Sequence, residues 1–521
     1  MDAPHDGDDR PEVKGLGVHA PHSYKEGMDQ SRAPILEGIE DHRRSDRYGF
    51  TPPAHRQGRG ADELAKRILG ESVYASDLVA TGGLDTRSTA NSYLADAEAL
   101  MAEAVGADKV IFSTCGSSLA VKAAILAVTL GQGEVLISRD AHKSVTSALV
   151  LSGLMPRWVP PQWDAERHLA HPPSPEDLER MWQRYPDASA ALVVSPTPWG
   201  TCADLAAMTE ICHRRGKPLI VDEAWGAHLP FHPDLPTWAM SAGADVCVVS
   251  IHKMGMGLEQ GSVLHLQGEL VDGVRLAQCA DVLASTSSNI LLYGAIDAWR
   301  RQMMDGGREW IDRSLHFVHG LRERIAAIDG IHLMERELRE VSASDEYDPF
   351  HVVVDVGERG VTGFWAADWL RAEKRIDVGV TDHRRIELTV SLADDDGTGD
   401  RLLDALAGLA DAARDADAPP QMYLPTPDDL KPQTVMRPRD AFFGPVEVVP
   451  AEEAVGRVAA EQITPYPPGV PAILPGELIK EGTLRYLRTG LDCGLVIPDA
   501  GDPSLHTIRV TQEAEPNARP E

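Results

Sequence analysis

The spacing of apolar residues predicts an α/β fold: a mostly parallel sheet in a large domain, then a smaller α+β domain and a C-terminal α+β piece. Three observations carry that expectation. Between residues 109 and 266, short runs rich in Val, Ile and Leu alternate with stretches of helical spacing. Strands of this kind are buried on both faces and joined by crossover helices. From about Trp310 the alternation gives way to longer helices and fewer strands, the habit of an α+β unit. Residues 417–445 are rich in Pro and Asp and read as a linker before a third piece. A chain of 521 residues outgrows one core, so two or three domains are expected.

In chain order, residues 1–31 are polar and aperiodic, a loose arm. The major domain, 32–308, opens with a short amphipathic helix over Arg32–Arg43, with Ile35, Leu36 and Ile39 on one side. Prolines and glycines fix the loop from Gly49 to Gly58. From Ser92 to Val105, Leu94, Ala97, Leu100, Met101 and Ala104 recur at helical spacing. Strands are expected at Lys109–Thr114, Glu134–Ser138, Ala190–Ser195, Pro218–Glu223, Val246–His252 and Gly261–Leu266. Helices fall between them at Ser117–Leu130, Lys143–Leu151 and Leu205–Arg214. The small domain, 309–416, takes helices at Ser314–Ile328, Val361–Lys374 and about Asp400–Ala416, and strands at Phe350–Val356 and Arg385–Ser391. After the 417–445 linker, the C-terminal domain, 446–510, begins with a helix at Ala451–Glu461 and carries a rigid Pro465–Pro471 segment. Residues 511–521 read as a disordered tail.

The net charge is −30, from 80 acidic and 50 basic residues. That balance argues against non-specific nucleic-acid binding, which needs clustered Lys and Arg. It suits either a cationic substrate drawn inward or simply an acidic surface. No apolar run is long enough to span a bilayer, and the N-terminus carries no signal-peptide pattern. The six cysteines have no metal-type spacing, which fits the reduced thiols of a cytoplasmic enzyme.

Ligands of a parallel sheet sit beyond the carboxyl ends of its strands. That rule places Ser113–Ser118, Asp140–Ser144, Ser195–Thr201, Asp222–His228 and Ser250–Lys253 along one rim. Lys253 follows a buried strand, where a partly desolvated amine loses its proton more readily and becomes a nucleophile; the bland alternative is a solvated turn lysine. Gly116, Ser117 and Ser118 open a helix where free amides favour a phosphate, with Ser250 and His252 able to add contacts. An ordinary N-cap serine pair would look the same. Asp222 ends an apolar strand and needs a cation: a protonated pyridine nitrogen, an Arg, or a metal shared with Glu223 and His228. Ala224 is small and faces the same side, leaving room for a flat ring. His142 either stacks on that ring or merely starts a helix. Together the parts describe a pyridoxal 5'-phosphate site with no metal, whereas a metal hydrolase leaves Lys253 and Gly116–Ser118 idle.

On these residues the chain resembles the bacterial ornithine/lysine/arginine decarboxylases, in their short branch. The likeness runs from about residue 32 to 490. It rests on the Phe50–Gly58 loop, Asp140-Ala141-His142-Lys143-Ser144, Asp222-Glu223-Ala224-Trp225-Gly226-Ala227-His228, and Ser250-Ile251-His252-Lys253 with Gln260 behind. Ala441-Phe442-Phe443-Gly444-Pro445 and Pro465–Glu477 extend it. The resemblance implies the aspartate-aminotransferase fold (fold type I), with a seven-stranded-type sheet in a cofactor-binding major domain. It implies that Lys253 holds the cofactor through its amine, Asp222 pairs with the ring nitrogen and His142 stacks on the ring. Gly116, Ser117, Ser118, Ser250 and His252 would hold the phosphate, with Ala224 beside the ring. The family builds its active site between subunits, so a homodimer or larger homo-oligomer is implied, with Ser285-Thr286-Ser287 reaching the neighbouring phosphate.

Departures lie near the expected substrate site: Trp225 stands where a His is usual, Met254-Gly255-Met256-Gly257 replaces Thr-Leu-Pro, and Gly83–Arg87 is a partial match. Ser195–Gly200 lacks the usual Tyr after its Pro-Thr. The expected activity is decarboxylation of arginine, lysine or ornithine to its amine, a step toward polyamines, with Lys253 or His252 returning a proton. Trp225, His228, Glu477 and Asp85 are the candidate substrate contacts. Two alternatives stay open: transamination or other lyase or oxidative chemistry with the same cofactor, and a non-catalytic binding protein on the same fold.

Overall fold

The computed structural model describes residues 27–45, 47–79, 93–129, 133–340 and 344–512. Most of the expected arm and tail, and Gly83–Arg87 with Asp85, lie outside the described residues. The central sheet has seven strands: β1 (Lys109–Ser113), β2 (Glu134–Ser138), β3 (Met155–Val159), β4 (Ala191–Val194), β5 (Leu219–Asp222), β6 (Val246–Ser250) and β7 (Ser262–Leu266). Their order across the sheet is β1-β7-β6-β5-β4-β2-β3. The run from β6 to β3 is parallel, and β7 alone is antiparallel to both of its neighbours.

Every residue of β4, β5, β6 and β7 is buried, because helices cover both faces. Successive side chains alternate between two cores. Ile220 and Val248 pack with the helices Gly116–Ala127, Lys143–Ser152 and Gly273–Leu283. Val221 and Cys247 face the opposite core, which runs on into the small domain. A fully buried aliphatic side chain is worth about 1.5–3 kcal/mol, so the two cores fix the register of each strand. They also fix which way the residues at the strand ends point.

Several elements differ from expectation. The seventh strand, β3, was not expected: Pro156 and Arg157 interrupt its apolar run, and its place at the sheet edge tolerates both. Strand β6 stops at Ser250, and Ile251–Met254 forms a helical turn rather than more strand. The helix expected at Ser314 begins at Ile290 and runs 37 residues to Ala326, with a break at Gly306. Gly306-Gly307 hides that continuity in the sequence, and the expected 308/309 boundary falls inside the helix. The small domain's sheet, β8 (His332–Met334), β9 (His351–Asp355) and β10 (Arg385–Thr389), is antiparallel and shares the larger core.

The C-terminal domain has its own core around Ile463, Leu487 and Ile508, beside the pair β11 (Val446–Pro450) and β12 (Thr507–Thr511). The helix expected over Ala451–Glu461 is a four-residue 3-10 turn, Ala451–Ala454. Gly456 takes φ +81 there, which turns the chain toward bridges at Val458 and Ala459. Residues 417–445 are not a free tether. They carry short helices at Pro427–Leu430 and Pro438–Phe443, and Thr434 bridges Glu477 while accepting a hydrogen bond from Trp158 Nε1 at 2.9 Å. Among the described residues no helix is long and apolar enough to cross a membrane.

Candidate active site

The carboxyl ends of β1, β2, β5 and β6 bring most of the expected rim residues together. Because β5 alternates between cores, its end sends two acids to opposite faces. Asp222 lies on the face of Ile220, and Glu223 turns toward Cys247, whose Sγ donates to Oε2 at 3.1 Å. Glu223 also accepts the Ala239 amide at 3.3 Å, and burial pushes its carboxyl well above the usual range.

Asp222 is buried, and among the described residues its carboxylate accepts one hydrogen bond, from the Ala224 amide at 3.3 Å to Oδ1. Burial raises its pKa, with the nearby Lys253 charge pulling the other way. This is a carboxylate under-supplied with donors and placed to receive a cation. Lys253, on the helical turn after β6, supplies one. Its Nζ sits 4.2 Å from the centre of the Trp225 ring. The protein packed around that amine lowers its pKa to about 8, an effect that Asp222 partly offsets. A lysine with that pKa keeps a sizeable fraction of free amine near neutral pH, as a nucleophile requires.

Ser250 Oγ donates to Ser117 Oγ at 2.8 Å, which joins the end of β6 to the start of the helix Gly116–Ala127. No side chain caps that helix: Cys115 at its N-cap makes no such bond. Gly116 has φ +73, and nothing lies within 4 Å of where a Cβ would stand. The Gly116 amide donates to the Gln260 carbonyl at 3.0 Å, and two hydroxyls, the first-turn amides that follow it and open space offer a cradle for an anion. Ser118 sits one residue further along the same first turn. His252 turns its Nδ1 to the Gly261 carbonyl at 3.3 Å.

His142 caps the helix Lys143–Ser152. Its Nδ1 accepts the Ser144 amide at 3.2 Å and lies 3.0 Å from Ser144 Oγ. Burial, then the charges of Lys253 and Lys143, lower its pKa to about 4, so the ring is neutral. Asp140, two residues before it, is hydrogen-bonded by Ser138 Oγ and pushed up to about 7, chiefly by burial.

The proposed substrate contacts fare differently. Trp225 stands at the site: beside its contact with Lys253, its ring meets the His351 ring edge-on at 5.2 Å. His228 is fully buried with its Nε2 3.2 Å from Asp348, facing the small domain. Glu477 is buried against Arg139 at 3.3 Å and accepts the Leu474 amide, so its carboxylate ties the C-terminal domain to the end of β2. Asp85 lies outside the described residues. Asp222, Glu223 and His228 thus go three separate ways, and among the described residues no three such side chains gather as metal ligands do.

One group escaped the sequence reading. Behind Trp225, His351 Nδ1 lies 2.9 Å from Glu387, with Asp348 at 3.7 Å from Nε2, all fully buried. Burial works against the charge on His351, but Glu387 and Asp348 outweigh it and raise its pKa. The available signal was ionisable residues inside apolar strands, His351 opening His-Val-Val-Val and Glu387 in Arg-Ile-Glu-Leu. Met254–Gly257 also has a physical reason: at Gly257 a Cβ would stand 2.6 Å from Ile251 Cγ2, so only glycine lets the chain fold back on the lysine-bearing turn.

Known proteins are similar to this chain over nearly its whole length. The family model for the Orn/Lys/Arg decarboxylase major domain matches residues 33–353, and that for the C-terminal domain matches 421–498. Arginine decarboxylase of Halalkalibacterium halodurans is 36% identical over 93% of this chain and 99% of its own length. Arginine decarboxylase of Bacillus subtilis is 34% identical with the same coverage. Among solved structures, lysine decarboxylase A of Pseudomonas aeruginosa has a TM-score of 0.78 at 21% identity, over 92% of this chain and 81% of that one. The constitutive lysine decarboxylase of Escherichia coli has 0.76 at 20% identity, over 93% and 82%; at such identities the likeness speaks for the fold alone. With a family model covering more than half its length and relatives above 30% identity end to end, this chain belongs to the Orn/Lys/Arg decarboxylase family.

Proposed function

We propose that the protein is a pyridoxal 5'-phosphate-dependent decarboxylase of a basic L-amino acid, with arginine as its substrate. The observation that carries this is the Lys253 amine, lowered to about 8 beside a buried, donor-poor Asp222. The arginine choice is supported by the relatives above 30% identity, which are named arginine decarboxylases. The residues present fit the cofactor. Lys253 would hold it through Nζ, Ser117, Ser250 and the first-turn amides of Gly116–Ala127 its phosphate, and Asp222 its protonated ring nitrogen. Ala224 leaves room for the ring, and His142, neutral and fixed by Ser144, would cover one face. When bound, the cofactor supplies an electron sink for the pair released as carbon dioxide leaves.

The rest falls to the chain. Asp222 would pair with the ring nitrogen and favour its protonated form, since a buried carboxylate is costly unless it meets a cation. Lys253, largely protonated on Nζ near neutral pH, would return a proton to the substrate Cα. Trp225 offers its ring face to that ammonium, a contact worth about 0.5–2 kcal/mol. His252, turned to the Gly261 carbonyl, is the less well placed donor.

A homodimer belongs to the same proposal. Phe50, Ile68 and Val282 are large, apolar and exposed, and Ser285-Thr286-Ser287 lies exposed after the helix bearing Val282. A cytoplasmic setting is supported by six cysteines, none of them in a disulfide, and the amine product would feed polyamine biosynthesis. The test is purified enzyme given arginine, lysine and ornithine, with products identified by mass spectrometry. Arginine should yield its amine and carbon dioxide with the highest kcat/KM, and Lys253→Ala should lose roughly 10³-fold or more. A keto acid in place of the amine would favour transamination instead.

A further inference from the structure

We propose that Gly469, in the Pro465-Tyr466-Pro467-Pro468-Gly469 turn of the C-terminal domain, is a positioning residue for the His142 imidazole, so that docking of that domain sets how the site receives its cofactor. This rests on the reading of His142 as the group that covers the cofactor ring.

His142 is held from two sides. On one edge, the Ser144 amide donates to Nδ1 at 3.2 Å, which places the ring proton on Nε2. The opposite edge meets Gly469. A Cβ at Gly469 would stand 3.0 Å from His142 Cδ2 and 3.1 Å from Nε2, tighter than side-chain carbons usually come, so with a larger residue either the ring or the turn must give way slightly. Gly469 also takes φ +87, a conformation glycine adopts without strain.

The turn cannot easily give way. The Lys143 amide, next to His142, donates to the Gly469 carbonyl at 2.9 Å, and the Gly469 amide closes the turn on Pro465 at 3.2 Å. Lys143 Nζ lies 3.8 Å from Asp499 and 5.7 Å from the centre of the Tyr466 ring. Just beyond, Arg139 donates to the Pro471 carbonyl at 2.7 Å and pairs with Glu477 at 3.3 Å. The ring is therefore wedged between its own helix start and a braced turn more than 300 residues away in sequence. Precise placement of a binding group depends on such supporting contacts.

The test uses the full-length chain stripped of cofactor and titrated with pyridoxal 5'-phosphate, binding followed by absorbance. Gly456, at φ +81 in the same domain with nothing within 4 Å of a Cβ, provides the control for backbone strain alone. Gly469→Ala should weaken cofactor binding about tenfold, equivalent to about 1.4 kcal/mol, while Gly456→Ala stays within about twofold on the same scale. In the His142→Ala background, Gly469→Ala should add nothing. Equal affinities for Gly469→Ala and Gly456→Ala, or full additivity with His142→Ala, would overturn the inference. An unchanged affinity for His142→Ala itself would instead remove the reading of His142, and the inference with it. A second measurement needs no variant: in the wild-type chain, cofactor should slow amide exchange across residues 463–472. Unchanged exchange there would also overturn it.

Discussion

Lys253 is where burial and charge compete most directly. Its amine is held near 8, below the ordinary 10.5, so folding expels a proton between those two values and this group's contribution to stability rises with pH across that window. Capture of pyridoxal 5'-phosphate needs the free amine. Its rate should therefore climb with pH around a midpoint near 8, as stopped-flow absorbance would record. Asp222 favours the ammonium, so Asp222→Asn should move the midpoint down. Trp225→Leu should do the same by up to about one unit, since a ring face worth about 1 kcal/mol corresponds to just under one unit of pKa. A midpoint unmoved by both variants would mean that neither group senses the amine.

At the scale of the element, β5 shows how strand alternation assigns chemistry. Adjacent carboxyls at its end meet different worlds: Asp222 senses the Lys253 amine, while Glu223 is sealed against Cys247. Burial raises Glu223 far above its ordinary 4.5. The folded state thus keeps a proton that the unfolded state releases, and this residue's contribution to stability falls as pH rises above about 4.5. Glu223→Gln mimics the protonated form and should lose less stability than wild type between pH 5 and pH 8 in urea unfolding. Much of this was legible beforehand. Strands β1, β2, β4, β5 and β7 and the Lys143 helix follow directly from apolar periodicity. Strand β3 was hidden by Pro156, and the first half of the Ile290–Ala326 helix by Gly306. Local composition there opposes a structure that neighbouring packing imposes.

Across the whole molecule, the C-terminal domain packs against the ends of the strands that carry the candidate site, through Gly469 and Glu477. Arg139 and Glu477 form a nearly buried pair that joins it to the end of β2. Removing one member strands the other, at a cost of about 3–5 kcal/mol. Arg139→Met should therefore lower stability by about that amount and weaken cofactor retention, whereas Arg139→Met with Glu477→Met should recover part of the stability; thermal unfolding and cofactor titration check both. The homodimer proposal predicts a light-scattering mass of at least twice the 56.5 kDa chain, and a monomer at micromolar concentration would count against it.

By itself the sequence determined the fold class, the family resemblance and the residues along one rim, because those depend on short-range periodicity and on motifs a few residues long. Lys253, Asp222, His142, Ser117 and Ser250 could each be named that way. Only the tertiary structure decided which partners they meet. It turned Glu477 from a substrate candidate into a buried ion-pair partner of Arg139, buried His228 against Asp348, set His351, Glu387 and Asp348 behind Trp225, and laid Gly469 against His142. Those contacts join residues tens to hundreds of positions apart. They follow from how separate domains pack, and no local pattern encodes that.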